Sequence, residues 1–189
     1  IIFCDDENKI LDSIKHISAQ VSSVREVLPG REYFIPHAGE KKDPLTITEE
    51  EFKELIGKTP QNLSKALYTD LTGLSPTVSA ELCHLASLDG DISAKDFSDS
   101  ELTHLYHAFT WIMDDVRQGN FTHNIIYQKE KPVEFASIPL SMFSGGDYRS
   151  VSFPSISALL ERYYAERNTV SRIHQKSTDL RKILTNSLE

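Results

Sequence analysis

Leu71-Thr72-Gly73-Leu74-Ser75-Pro76-Thr77-Val78-Ser79-Ala80-Glu81-Leu82 reads as two short helices pinched together around a glycine. A helical pattern running from Pro60 to about Leu71 meets Gly73, the residue that takes the positive φ of a sharp reversal without steric cost. Ser75 then offers a side-chain oxygen to cap a second helix, and Pro76 carries the fixed φ that suits a first helical position. In a helix-hairpin-helix arrangement the amides of such a corner, and the helix N-terminus behind it, face a phosphate, because unpaired donors and the positive dipole end favour an anion. Gly73, Leu74, Ser75, Thr77 and Val78 are therefore the candidate nucleic-acid contacts. The same corner joins two helices in any helical domain, and Ser75 and Ser79 stand where the hairpin pattern usually has a second glycine and a small alanine.

Composition limits what that corner can do. The 189 residues are 39% hydrophobic and 25% charged, enough for one core or two small ones. No apolar run approaches membrane-spanning length and no signal-peptide pattern is present, so membrane insertion is not expected. Cys4 and Cys83 lie far apart without metal-ligand spacing. That suits a reducing compartment, gives no zinc site, and points to a cytoplasmic protein. The net charge of −8 is uneven: residues 1–44 carry 6 Lys/Arg and 8 Asp/Glu, residues 45–120 carry 5 and 13, and residues 121–189 carry 9 and 7. The segment holding the corner is thus the acidic one, which argues against autonomous grip on naked duplex by counterion release.

The pattern divides into four parts, an α+β chain in which β-hairpin segments flank a compact four-helix module and a coiled-coil helix follows. In residues 1–44, Ile1–Cys4 and Lys9–Ile17 suggest a hairpin, with short strands near Val24–Leu28 and Tyr33–Ile35 around Pro29-Gly30. In residues 45–120, Thr48 with Glu51 and Ser98 with Glu101 form capping boxes, and Thr59-Pro60 starts the helix between them. Phe52, Leu55 and Ile56 make one buried stripe, Leu63, Ala66, Leu67 and Leu71 the next. The helix after Ser75 buries Val78, Leu82 and Ala86 and stops near Asp89-Gly90, and the last runs from Leu102 through Phe109 to Val116 and ends at Gly119. Strands follow in residues 121–154 at Phe121–Tyr127, Val133–Ile138 and Val151–Phe153. From 155 to 189, Ile156, Leu159, Leu160, Tyr163 and Tyr164 lead into Val170, Ile173, Ser177, Leu180 and Leu184, the three-four spacing of a coiled-coil arm. A single amphipathic helix packed on the domain is the alternative.

Catalytic constellations are poor. His104 and His107 sit one turn apart near Glu101 and Asp114, where a metal face and an exposed polar stripe are both conceivable. No phosphate-binding glycine loop, dinucleotide fingerprint or serine-hydrolase elbow occurs, so neither an active site nor a cofactor is expected.

Ile10-Leu11-Asp12-Ser13-Ile14-Lys15-His16, Val24-Arg25-Glu26-Val27-Leu28-Pro29-Gly30-Arg31-Glu32-Tyr33 and Pro36 resemble the bacterial NFACT proteins, variously called RqcH and fibronectin-binding protein A. Phe135-Ala136-Ser137-Ile138-Pro139-Leu140 and Ser157-Ala158-Leu159-Leu160-Glu161-Arg162-Tyr163-Tyr164 agree in order and spacing. The resemblance implies a segment of a longer protein, running from the end of a glycosylase-like N-terminal core through a helix-hairpin-helix module to the start of a coiled coil. The lack of an initiating Met and the helical pattern at Glu189 fit that expectation. It further implies a factor that binds obstructed large ribosomal subunits carrying peptidyl-tRNA, contacts rRNA and tRNA, and recruits alanyl-tRNA for C-terminal alanine tailing. The family's Asp-Arg pair implicated in tailing would lie upstream of Ile1. Arg172, Lys176, Arg181 and Lys182 in the coil are the second candidate contact to RNA phosphate, with a solvated helix face as the alternative.

Two other classes remain open. The family is also described as surface adhesins, and fibronectin as partner would use exposed strand edges at Phe121–Tyr127 or Val133–Ile138. That reading adds the cell surface as a second location. A DNA-glycosylase-like nucleic-acid module is third, since neither the catalytic residues nor a four-cysteine zinc site of such enzymes is present. A coiled-coil arm without its returning helix is expected to pair with a second copy, which a concentration-independent monomeric mass in sedimentation would overturn.

Overall fold

The computed structural model describes residues 1–22, 25–34 and 41–168. The described residues fall into two compact units, divided between Lys41 and Lys42.

In the first unit, strands β1 (Ile2–Cys4) and β2 (Ile10–Ser13) pair antiparallel, Ile2 opposite Ser13 and Phe3 opposite Asp12. The turn between them is built by Asp5, whose Oδ1 accepts from the amides of Glu7 and Lys9 at 3.0 and 2.8 Å. The expected third and fourth strands appear only as single bridges, Ile17 to Val27 and Lys9 to Glu32; Val24 and Ile35 lie outside the described residues. Ile10 and Val27 are the buried apolar side chains here among the described residues, too small a core to organise longer ladders.

The second unit opens with helix α1 (Glu49–Gly57), closed at its start by the Thr48/Glu51 capping box. The accepted amide and hydroxyl bonds from Thr48 and the neighbouring Lys42 ammonium hold the Glu51 carboxyl below the usual carboxylate range. Helix α2 (Leu63–Asp70) begins later than the Thr59-Pro60 signal suggests. Residues 61–63 are instead tied to the loop after α3: Leu63 N–H donates to the Ile92 carbonyl at 2.8 Å, and Ala94 N–H to the Gln61 carbonyl at 2.9 Å. Asn62 then caps α2, accepting from Lys65 N–H at 2.9 Å. Helix α3 (Pro76–Leu85) stops four residues before the expected Asp89, turning at Ser87 with φ 54°. Helix α4 (Asp99–Gln118) keeps both predicted ends, the Ser98/Glu101 box and a left-handed Gly119 at φ 71°.

Phe52, Tyr106 and Phe109 pack with tilted rings between these helices at centroid separations of 5.3 (Phe52–Tyr106), 4.9 (Phe52–Phe109) and 5.9 Å (Tyr106–Phe109). The Tyr106 hydroxyl donates to the Ile47 carbonyl at 3.2 Å. Gly57 sets how closely α1 and α4 approach, since a Cβ there would meet Leu102 Cδ1 at 3.0 Å. Burial pushes the Cys83 thiol up to about 12, so it stays protonated and unreactive at neutral pH.

Strands β3 (Asn124–Gln128), β4 (Lys131–Ala136) and β5 (Tyr148–Ser152) form an antiparallel sheet in the order β4-β3-β5. It is separate from the β1-β2 pair. The central strand is β3, so the Phe121–Tyr127 segment offers no open edge; β4 and β5 are the edges. One sheet face, with Ile126, Ala136 and Ile138, joins the helical core. The other, with Ile125 and Tyr127, is covered by Leu159 and Tyr163 of a helix, α5, over 156–168. The first turns of the expected coiled-coil helix are thus docked on the sheet as an amphipathic helix. Its heptad continuation, Val170 to Leu184, lies outside the described residues.

α3 is fastened to the segment between β4 and β5 by a buried carboxylate. Glu81 is 1% exposed and accepts from the Ser141 and Met142 amides at 2.8 and 2.9 Å, and from the Ser141 hydroxyl. The carboxyl takes up these donors in place of water and so caps the start of the short 3-10 turn Ser141–Phe143. Glu81→Ala would orphan both amides and is expected to lower the unfolding free energy by about 2–3 kcal/mol, measured by urea titration. A loss no larger than that of an exposed control such as Glu54→Ala would overturn the assignment.

Candidate nucleic-acid interface

The α2–α3 corner is built as its sequence dictates. α2 ends at Asp70, Leu71 leaves the helix in an extended conformation, and Gly73 takes φ +78°. Lys42 braces the turn from outside, its amide donating to the Asp70 carbonyl and its carbonyl accepting from Thr72 N–H, both at 2.9 Å. Nothing lies within 4 Å of a Cβ placed on Gly73, so the position is open and only its backbone conformation demands glycine. Ser75 caps α3 by accepting from Val78 N–H at 3.2 Å. This cap and Pro76, which has no N–H, remove two of the helix's first donors from ligand use.

The predicted contact residues separate into two groups. Gly73 and Ser75 are exposed, and the amides of Gly73, Leu74, Ser75 and Thr77 have no acceptor among the described residues. The side chains of Leu74 and Val78 pack against the helical core and are not available to a ligand. The Thr77 hydroxyl is also engaged, donating to Glu134 Oε2 of β4 at 2.8 Å. That carboxylate lies at the first turn of α3, where it takes part of the dipole's favour from any incoming anion. Glu134 was not singled out from the sequence, because 57 residues separate it from Thr77 and no local pattern links them.

Cations are scarce around this module. Lys53 pairs with Glu49 and Asp99, Lys58 with Glu54, and Arg117 with Asp114, leaving Lys65 and Lys95 without an ion pair among the described residues. Arg172, Lys176, Arg181 and Lys182 lie outside the described residues. His104 and His107 belong to no converging set of three or more metal-ligating side chains among the described residues. Among those residues no helix is long and apolar enough to cross a membrane.

The model of the NFACT N-terminal and middle domains matches residues 1–189. The chain belongs to the NFACT family. Over 180 residues it is 29% identical to the Rqc2 homolog RqcH of Bacillus subtilis (strain 168), covering 95% of this chain and 29% of that protein. Over 193 residues it is 26% identical to the Rqc2 homolog RqcH of Streptococcus suis (strain 05ZYH33), covering 100% and 29%. This NFACT chain thus spans less than a third of the length of these relatives. Among solved structures, the fibrinogen binding protein from Staphylococcus aureus shares its fold with a TM-score of 0.66 at 24% identity, covering 86% of this chain and 54% of that one. The N-terminal part of the fibronectin/fibrinogen-binding protein from Streptococcus suis gives 0.55 at 25% identity, covering 85% and 50%.

Ser79, the residue in the small-alanine position, is fully buried and its hydroxyl has no hydrogen-bond partner. A buried unsatisfied hydroxyl is a cost that alanine removes at nearly the same volume. Ser79→Ala is expected to raise the unfolding free energy by about 1 kcal/mol in chemical denaturation; a loss of stability would show that the hydroxyl has a partner such as a buried water.

Proposed function

We propose that this chain is the middle segment of a ribosome quality-control factor. The factor engages large ribosomal subunits obstructed by peptidyl-tRNA, contacts rRNA and tRNA, and recruits alanyl-tRNA for C-terminal alanine tailing. The observation that supports this reading is sequence similarity to RqcH proteins across 95% and 100% of the chain. In this reading the α2–α3 corner is a helix-hairpin-helix element and the segment binds rather than catalyses. The amides of Gly73, Leu74, Ser75 and Thr77 receive one backbone phosphate, and Arg172, Lys176, Arg181 and Lys182 of a coiled-coil arm take others.

The acidic surroundings are compatible with that role. A phosphate held by neutral amides at one corner adds a small, orientation-setting contact, and the affinity of the whole factor comes from several linked sites whose effective concentrations multiply.

A second reading is favoured by the names of the two structural neighbours, which bind fibrinogen or fibronectin. As an adhesin, the chain would add an extended segment to an open sheet edge, either β4 or β5.

The two readings separate in one experiment. Full-length protein carrying Gly73→Asn or Gly73→Asp keeps a residue that tolerates positive φ, so the pair differs mainly in charge. In co-sedimentation with purified large subunits bearing peptidyl-tRNA, with empty subunits as control, Gly73→Asp is expected to bind about five- to tenfold more weakly than Gly73→Asn, with the gap narrowing at high salt. Fibronectin capture should be equal for both. Equal subunit binding by the two variants would overturn the corner assignment, and no subunit binding by the unsubstituted protein would overturn the ribosome reading itself.

A further inference from the structure

A cleft of about 80 Å³ lies between α3, α4 and the segment following β4, away from the Gly73 corner. Its walls are apolar: Leu85, Ile112, Ile138 and Pro139, with the indole of Trp111 along one side. Trp111 is 63% exposed, an unusual place for the chain's single tryptophan when five residues of the same helix are buried.

Two carboxylates border this apolar surface. Glu81 is held by the Ser141 and Met142 groups and no cation. Asp115 is met by the Asn120 side-chain amide at 3.4 Å and by no cation among the described residues. The nearest basic side chain in sequence, Arg117, is turned to Asp114 and to the Leu45 carbonyl.

We infer that this cleft receives a lysine or arginine side chain from a basic polypeptide segment, its aliphatic stem on Ile112, Ile138 and Pro139 and its charged head between the Trp111 ring and Asp115. The cavity matches one side chain, being well below the roughly 300 Å³ or more typical of small-molecule sites. A long basic side chain combines an apolar stem with a charged tip, as the cleft combines an apolar wall with a carboxylate rim. The open indole face adds attraction to the cation. RNA is the wrong partner here, because its phosphates would face the Asp115 carboxylate without counter-charge, in a module carrying 13 acidic and 5 basic residues. This inference goes beyond the ribosome reading and does not rest on it: the basic segment is a protein contact whichever larger partner supplies it.

Trp111 is its own reporter, since no other tryptophan contributes fluorescence. The 189-residue chain is titrated at low salt with a short peptide of alternating lysine and alanine, with the glutamate-alanine counterpart and with oligouridylate. A saturable change in Trp111 emission is expected for the lysine peptide alone. Asp115→Asn should weaken it about fivefold while leaving the thermal midpoint unchanged, as expected for losing one half-buried carboxylate partner while the ring remains. Trp111→Ala, followed by calorimetry, should lose binding to a similar degree. An equal response to oligouridylate, an unaltered affinity in Asp115→Asn, or no saturable change with the lysine peptide would each overturn the assignment.

Discussion

Asn124, Ile125, Ile126 and Tyr127 are all buried, and that single constraint organises the second unit. A strand alternates its side chains, so two buried faces require two cores. Ile126 points into the core of the four helices, while Ile125 and Tyr127 point to the core completed by Leu159 and Tyr163 of α5. Both edges of the strand are paired, with β4 on one side and β5 on the other. The Asn124 side-chain amide fixes the entry to the strand by donating to the Thr122 and Ile138 carbonyls at 2.8 and 2.7 Å. A strand so enclosed cannot lend an edge to a partner, which confines any β-addition to β4 or β5.

The same sheet aims the candidate corner. Thr77 and Glu81 lie one turn apart on the face of α3 and each makes a polar bond to the chain beyond the helices, Thr77 to Glu134 and Glu81 to Ser141 and Met142. Two fixed points along one helix define its direction, so the amides of Gly73, Leu74, Ser75 and Thr77 are held in place before any ligand arrives. Preorganised donors lose little freedom on binding, which partly offsets the weakness of a site built from neutral groups. The bond that orients the helix also brings the Glu134 carboxylate to its first turn, so rigidity and anion affinity pull in opposite directions here.

What could be read in the sequence was local. Both capping boxes, the Ser75 cap with Pro76, and the positive-φ turns at Gly73 and Gly119 depend on residues within a few positions of each other, and each appears in the structure. Pro60 is a common first helical residue, yet α2 starts later because residues 61–63 pair with the distant loop at 90–94. The stripe at Leu159 and Tyr163 has the same spacing whether it meets another helix or a sheet, so its sequence could not distinguish an arm from a docked helix. Glu81 offered still less: the one acid of a short helix is ordinarily solvent-facing, and its donors lie 60 residues or more away. The corner was therefore legible as geometry, while its electrostatic setting, altered by Glu134, required the tertiary structure.

Electrostatics decides how such a corner can be used. A domain that grips a nucleic acid alone needs several converging cations, because affinity scales with the phosphates neutralised. Of the five basic residues in segment 45–120, three are already paired with acids of their own module. What remains near Gly73 is a set of unpaired amides, which in the proposed function read the position of one phosphate without attracting the polymer from a distance. Such a contact is useful only when other parts of a larger protein have already delivered it to its partner, for then its fixed geometry selects register where a basic patch would tolerate many.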